Sequence, residues 1–407
     1  MALDSCALIF SLPRVIRHSF GLAESVHTCS SMAVPDSPEA VVACLEGCDI
    51  LAAALAVLRE PDPHRKAALT ELIVPAWRAG RIRMPSPGTS QEQPPDRPAR
   101  DETKVRLVPA KDAPKRGKGG SLASRQAMLH SLVHIENCAV DLAWDAIARF
   151  GGDASYRLPR DFFDDFVTVA ADECRHFLAL EQRLEAIGSH YGALAAHDGL
   201  WESAAATAGS LGARLAVEHC THEARGLDVL PQTVARFRAG GDADTAELLQ
   251  DVIYVEEISH CAAGVRWLKH LHQVAHDTDW GQAAAQAGEL QAGGAASAAQ
   301  QQQQPEQGQQ QEAQQHPAQQ GQAAGSGDAD QQAGCESMPA WAAEARRHAR
   351  VEEWFHALVR AHFFGPLKPP FNEEARAQAG FGPEWYLPLA AARDAGDAGG
   401  GTGKDHD

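Results

Sequence analysis

Four stretches of this chain carry helical periodicity over about 25 residues each, and each sets a carboxylate inside its apolar stripe. The first runs from about 124 to 150 and stops at Gly151-Gly152. The second begins at Pro159 and ends near Gly188. The third covers about 211–237, interrupted by Gly226 and Pro231, and the fourth starts near the caps Asp242 and Asp244 and runs to about His272. Helices of that length span ~38 Å, which suits a four-helix bundle and is long for an ordinary globular helix. The expected fold class is therefore all-α.

The stripes are specific about what they enclose. On the second helix Phe166, Val169, Ala170, Phe177, Leu180 and Leu184 share a face with Glu173 and His176. On the fourth, Leu249, Ile253, Gly264, Leu268 and Leu271 share one with Glu257 and His260. Glu136 lies among Leu129, Leu132, Val133, Ala139, Val140, Ala143 and Ile147 on the first, and Glu223 falls with Ala216, Cys220, Leu227 and Leu230 on the third. An unpaired carboxylate in such a stripe would be very costly. Glu and His at i and i+3 point the same way, so one helix can offer both to one ion. The order is Glu, Glu-x-x-His, Glu, Glu-x-x-His, with nearly equal spacing in the two halves, as a duplicated helical pair would give. Four Glu and two His converging in a bundle core make a di-iron or di-manganese site, because oxygen-rich ligation suits those metals better than a closed zinc site. The reading without metal is two buried, mutually satisfied Glu–His pairs.

Neighbouring groups leave alternatives. Asp141 could stand in for Glu136, and Glu218 for Glu223; Asp141 and Asp228 each follow the in-stripe Glu of their helix by five residues. Glu256 could reach His260 at i+4, but the spacing and the stripe favour Glu257, which leaves Glu256 as an outer or surface acid. His219 and His222 flank Glu223 and could orient it. His130 and His134, on a polar stripe with Asp141 and Asp145, suit either a second metal or a solvated or hydrogen-bonded face, with the face favoured. Cys138, Cys174, Cys220 and Cys261 lie near proposed ligands and are read as packing residues.

The 407 residues carry a net charge of −18, which excludes nucleic-acid binding over the whole surface. A local basic run, with Lys104, Arg106, Lys111, Lys115, Arg116, Lys118 and Arg125, would suit RNA, yet it lacks interleaved aromatics and such runs are usually solvated. No apolar run is long enough to span a bilayer. Nine scattered Cys without a Cys-x-x-Cys pair fit a reduced compartment, so a soluble, cytoplasmic protein without a membrane partner is expected. Residues 1–35 read as disordered or as a targeting segment, although Asp4 and Glu24 count against a transit peptide. A helical module over 36–84 begins with Ser37 as N-cap and Pro38 in the first helical position. A Pro-rich and basic linker fills 85–120, the bundle 121–280, and a disordered Gln-rich insertion 281–336. One amphipathic helix with a wrapping tail occupies 337–390 of the same domain, and 391–407 form a loose end.

The blocks KDAPKRGKGGSLASRQAMLHSLVHIE, DECRH, HEARGLDVLP, EEISHCAAGVRWL and FFGPLKPPFNEEARAQAGF resemble those of the domain-of-unknown-function 455 family, over about 37–389 apart from the Gln-rich insertion. That family is assigned to the ferritin-like superfamily, whose members include di-iron oxygenases and an iron-dependent tRNA hydroxylase. The resemblance implies a ferritin-like bundle with two Fe ions (or Mn) on Glu136, Glu173, His176, Glu223, Glu257 and His260. It implies O2-dependent oxidation or hydroxylation of an organic substrate, a modified nucleoside in tRNA being one version, with an external electron donor. The family pattern places Glu where this chain has Asp141. The other classes are a metal-stabilised helical scaffold and an iron-handling protein; the long appended segments count against a storage shell.

Overall fold

Three short helices come first along the chain, α1 (Pro38–Leu45), α2 (Ile50–Arg59) and α3 (Pro63–Arg78). The structure, a computed structural model, describes residues 37–45, 47–86, 92–281 and 338–391. The expectations for 1–35, for nearly all of the Gln-rich stretch and for the end of the chain lie outside the described residues. Ser37 caps α1 through its hydroxyl, 3.3 Å from the Ala40 N–H, as the sequence suggests. Asp49 and Asp62 cap α2 and α3 in the same way. These helices do not form a separate body. α2 packs on α4 (Leu122–Phe150), α3 packs on α5 (Arg160–Ala186), and their apolar residues belong to the same core as the bundle.

The described part of the stretch expected as a linker is not loose. The Ala99 N–H donates to the Leu58 carbonyl, Arg149 donates to Pro95 O and the Trp201 indole to Asp96 O. The Val108 N–H donates to the Ala196 carbonyl at 2.8 Å, and the Ala196 N–H donates to the Arg106 carbonyl at 3.0 Å. Burying this polar segment requires partners for its backbone, and the bundle surface supplies them.

α4 and α5 form the first long hairpin. A short helix, α6 (Gly199–Ala206), follows. The third long helix is continuous from Leu211 to Ala239, but its winding changes twice: α7 (Leu211–Arg214), a π-helical segment Leu215–His222, then α8 (Glu223–Ala239). The fourth does the same, with α9 (Ala243–Leu248), a π segment Leu249–Ile253 and α10 (Tyr254–Asp277). Pro231 does not interrupt the third helix. It leaves the carbonyl four residues back, that of Leu227, without its helical donor, and Asn372 Nδ2 donates to it at 3.1 Å.

The C-terminal helix expected as one piece is two, α11 (Ala340–Ala345) and α12 (Val351–His362). The break is occupied: the Arg346 guanidinium turns to the end of α10 and donates to the carbonyls of Ala275 and Thr278, so helix continuity yields to a C-terminal cap. α13 (Glu373–Gln378) and α14 (Pro383–Tyr386) then wrap back over α8, α10 and α12. The described residues are all-α apart from isolated two-residue bridges, and none of their helices is long and apolar enough to cross a membrane.

Candidate metal centre

The six in-stripe residues meet at the centre of the bundle in two overlapping groups of four. Glu136, Glu173, His176 and Glu257 make one, and Glu173, Glu223, Glu257 and His260 the other; within each group one ligand atom per residue lies within 4.8 Å of all the rest. Glu173 and Glu257 are common to both. Each group therefore has two shared carboxylates, one carboxylate of its own and one imidazole.

The imidazoles are set by hydrogen bonds on their far sides. His176 Nε2 donates to Glu256 Oε2 at 2.7 Å. His260 Nε2 lies 3.4 Å from Asp172 Oδ2. A carboxylate can only accept here, so both Nε2 atoms carry a proton, and Nδ1 is the nitrogen that each imidazole turns to the cluster and could offer to a metal on losing its own proton. His176 Nδ1 lies 3.5–3.6 Å from oxygens of Glu136, Glu173 and Glu257. His260 Nδ1 lies 2.9 Å from Glu173 and 3.6 Å from Glu257. None of these approaches is a hydrogen bond, and His176 Nδ1, His260 Nδ1 and Glu173 Oε2 are buried without a hydrogen-bond partner.

The outer acids cross over. Asp172 precedes Glu173 on α5 yet serves the imidazole of α10; Glu256 precedes Glu257 on α10 yet serves the imidazole of α5. Arg175 joins them, ion-paired with Asp172 and 3.1 Å from Glu256 Oε1. Glu256 is thus not the partner of its own His260. Asp172 is absent from the sequence-based set, and the repeated acid before each Glu-x-x-His (Asp172-Glu173, Glu256-Glu257) was the signal for it.

Electrostatics follow from crowding. Burial, reinforced by Glu173, pushes the Glu136 carboxyl well above its ordinary range, and burial with Glu257 beside it does the same to Glu223. Burial alone would raise Glu173 too, but His260 and His176 hold it down. His176 is raised to about 11 although burial opposes it, because Glu136 and Glu173 face it, and His260 is raised well above its usual value for the same kind of reason. Protons thus take up the negative charge when nothing else does. Four ionised carboxylates and two neutral imidazoles match two divalent cations in charge, and the unpartnered Nδ1 and Oε2 atoms give them donors of the oxygen-rich kind that iron and manganese accept. The residues present fit such a pair.

Other candidates stand elsewhere. Asp141 is fully buried on a different side of α4, 2.6 Å from Arg100 and paired with Lys66 of α3. Asp228 accepts from Arg376 at 2.6 and 2.8 Å and from the Asn372 N–H at 2.8 Å. Neither can substitute for the Glu five residues before it, because each charge is already paired to an arginine from outside the four long helices. Glu218 turns to α6, accepting from the Ser203 hydroxyl at 2.6 Å, and His222 lies on the same hydroxyl at 3.3 Å and against Phe363. His219 is buried edge-on against Phe166, kept neutral by burial and by Arg214, with its pKa down to about 3.

His130 and His134 are buried rather than solvated, and hydrogen-bonded: His130 Nε2 accepts from the Gly192 N–H, and His134 lies between the Tyr191 hydroxyl and the His197 carbonyl. Cys174, Cys220 and Cys261 belong to the apolar core, and burial pushes the Cys174 thiol up to about 12. Cys138 is buried too, against Arg100 and His134.

A family described as "Protein of unknown function (DUF455)" matches residues 59–322, more than half of the chain. A curated relative, an "Uncharacterized protein" of Haemophilus influenzae (strain ATCC 51907 / DSM 11121 / KW20 / Rd), is 38% identical over 166 residues, 40% of this chain. Those residues span 56% of that relative's length. No solved structure matches the chain.

Proposed function

We propose that this chain, which belongs to the DUF455 family, holds two iron (or manganese) ions on Glu136, Glu173, His176, Glu223, Glu257 and His260 and oxidises an organic substrate with O2. The observation that carries this reading is the pair of overlapping four-residue groups sharing Glu173 and Glu257, with both imidazole Nδ1 atoms buried and unpartnered. Buried pairs that merely satisfied each other would leave no such atoms. Two ions of this kind, when bound, supply the redox equivalents that O2 reduction needs, and an external donor must restore them.

The chain's own contribution is position and exclusion. Glu173 and Glu257 would serve both ions, while Glu136 with His176 and Glu223 with His260 would complete one side each. Asp172 and Glu256 fix the tautomer and orientation of the imidazoles, which leaves Nδ1 as the donor. The apolar residues of the four stripes keep bulk water from the carboxylates. Asp172, Arg175 and Glu256 stand at the boundary, with the Glu256 side chain 28% and that of Arg175 54% exposed.

The test is metal content per chain in protein purified without added metal, beside a Glu173→Ala/His176→Ala double variant. About two irons in the parent and almost none in the folded variant are expected, followed by O2 consumption on addition of a chemical reductant. Absence of stoichiometric metal after anaerobic iron loading would refute the site. Two irons without O2 uptake would leave a metal-stabilised scaffold.

A further inference from the structure

A second feature lies on the outer surface of the same helices. α4 packs chiefly on α5 and α2, and α8 on α10 and α9. Between the outward faces of α4 and α8 is a cleft of about 610 Å³. At 3.6 residues per turn, its α4 residues Ser131, Ile135 and Cys138 are turned by about 100° or more from Glu136, and its α8 residues Gln232 and Arg236 by more than that from Glu223. Leu132 reaches the cleft from the edge of the Glu136 stripe, but none of the six carboxylate and imidazole residues of the metal centre lines it.

Its lining is unusual for this chain. Met128, Leu132, Ile135, Val229, Leu194 and Leu200 give it an apolar surface, and Ile135 and Val229 are 37% and 38% exposed. The residues 110–117 form one wall and bring Lys115 and Arg116, while α8 brings Arg236. No Asp or Glu lines the cleft, although the chain carries 54 of them against 36 Lys plus Arg. Two other members of the basic run have partners within the structure: Lys104 pairs with Asp62, and Arg125 donates to Gly119 O at 3.3 Å. Lys115 and Arg116 have no carboxylate within ion-pair distance among the described residues.

The wall is also held in shape. The Ser124 hydroxyl donates to the Arg116 carbonyl at 2.7 Å and accepts from the Gly119 N–H at 2.7 Å. Gly117 has φ +67, and a Cβ there would collide with that hydroxyl, so the turn needs glycine. Two adjacent cations on a fixed turn, a third across the cleft and an apolar surface between them match an anionic group attached to an apolar body. Three positive charges suit a doubly charged phosphomonoester better than a single carboxylate.

We propose that this cleft binds a small organic phosphate, with the phosphoryl group on Lys115, Arg116 and Arg236 and an apolar body against Leu132, Ile135 and Val229. Binding is independent of the metal centre and does not rest on the oxidase reading. The volume fits one such molecule of moderate size.

The experiment is calorimetric titration of the full, metal-loaded chain with phenyl phosphate, inorganic phosphate and benzoate. Phenyl phosphate should bind one per chain, at least tenfold tighter than either fragment-like anion. Lys115→Glu/Arg116→Glu should weaken it at least tenfold, and Ile135→Asp should weaken phenyl phosphate without changing inorganic phosphate to the same degree; all of these side chains are exposed, and metal content should stay at the parental value. No saturable binding, or binding indifferent to the charge reversal, would overturn the proposal. So would a short RNA or phosphatidylglycerol vesicles binding through Lys115 and Arg116 while phenyl phosphate does not, since that marks an open polyanion surface in place of a small-molecule site.

Discussion

At the level of single residues, the cluster makes unequal demands on its carboxylates. Glu173 and Glu257 belong to both groups of four, Glu136 and Glu223 to one each. Glu173→Ala or Glu257→Ala should therefore remove both ions, and Glu136→Ala or Glu223→Ala should leave close to one per chain. Elemental analysis of the four purified variants decides it, and equal losses in all four would contradict the shared arrangement. Asp172→Asn and Glu256→Gln keep the shape but weaken the acceptor behind an imidazole, and each should reduce metal affinity by roughly 10- to 100-fold, read by competition with a chelator of known affinity. The six inner residues were legible in the sequence because period 3.6 places them in apolar stripes. The crossing of Asp172 to His260 and of Glu256 to His176 was not, because a helical period tells which way a side chain leaves its own helix and not which neighbour it meets.

Among the elements, the π segments have no counterpart in the helical pattern of the sequence. Leu215–His222 leads directly into Glu223, and Leu249–Ile253 runs up to the turn that carries Glu256 and Glu257. Such segments often mark functional sites. The first is pressed against α10 at Gly264, where a Cβ would overlap the carbonyl oxygen of His219. Backbone cannot move aside as a long side chain can. Gly264→Ala should destabilise the protein by about 1–3 kcal/mol and lower the metal content of whatever still folds, measured by urea denaturation and elemental analysis. A variant with parental stability and metal would show that α10 and the π segment are free to separate. The split of the C-terminal helix was equally hidden. Arg346 reads as one more surface cation until the carbonyls of Ala275 and Thr278 are seen to need it.

Over the whole molecule, the polar stripe of α4 turned out to face protein. Burial drives both His130 and His134 down to about 4, while the unfolded chain titrates them near 6.5. Between those values the unfolded state binds more protons, so stability declines as pH falls from about 6.5 towards 4, by up to about 1.4 kcal/mol per pH unit for each histidine. Urea midpoints at pH 7.5 and 5.0 should fall less in a His130→Gln/His134→Gln variant than in the parent. An identical fall in both would assign the acid sensitivity to other groups. The stripe was readable as polar but not as buried, because what covers it, residues 191–197 over the two histidines and Arg100 of the supposed linker over Asp141, had no periodicity to announce its packing.

The two aspartates that follow Glu136 and Glu223 by five residues carry a last implication. Asp141 takes Arg100, which enters from the segment before the bundle, and Asp228 takes Arg376, which returns from the segment after it. Each follows by five residues the one carboxylate that its half of the cluster does not share. The two halves of the cluster are thus moored to segments that flank the four long helices on opposite sides in the chain. A cut or a pull in one of these segments slackens one mooring and leaves the other taut, so damage to the two would be felt by different halves of the cluster.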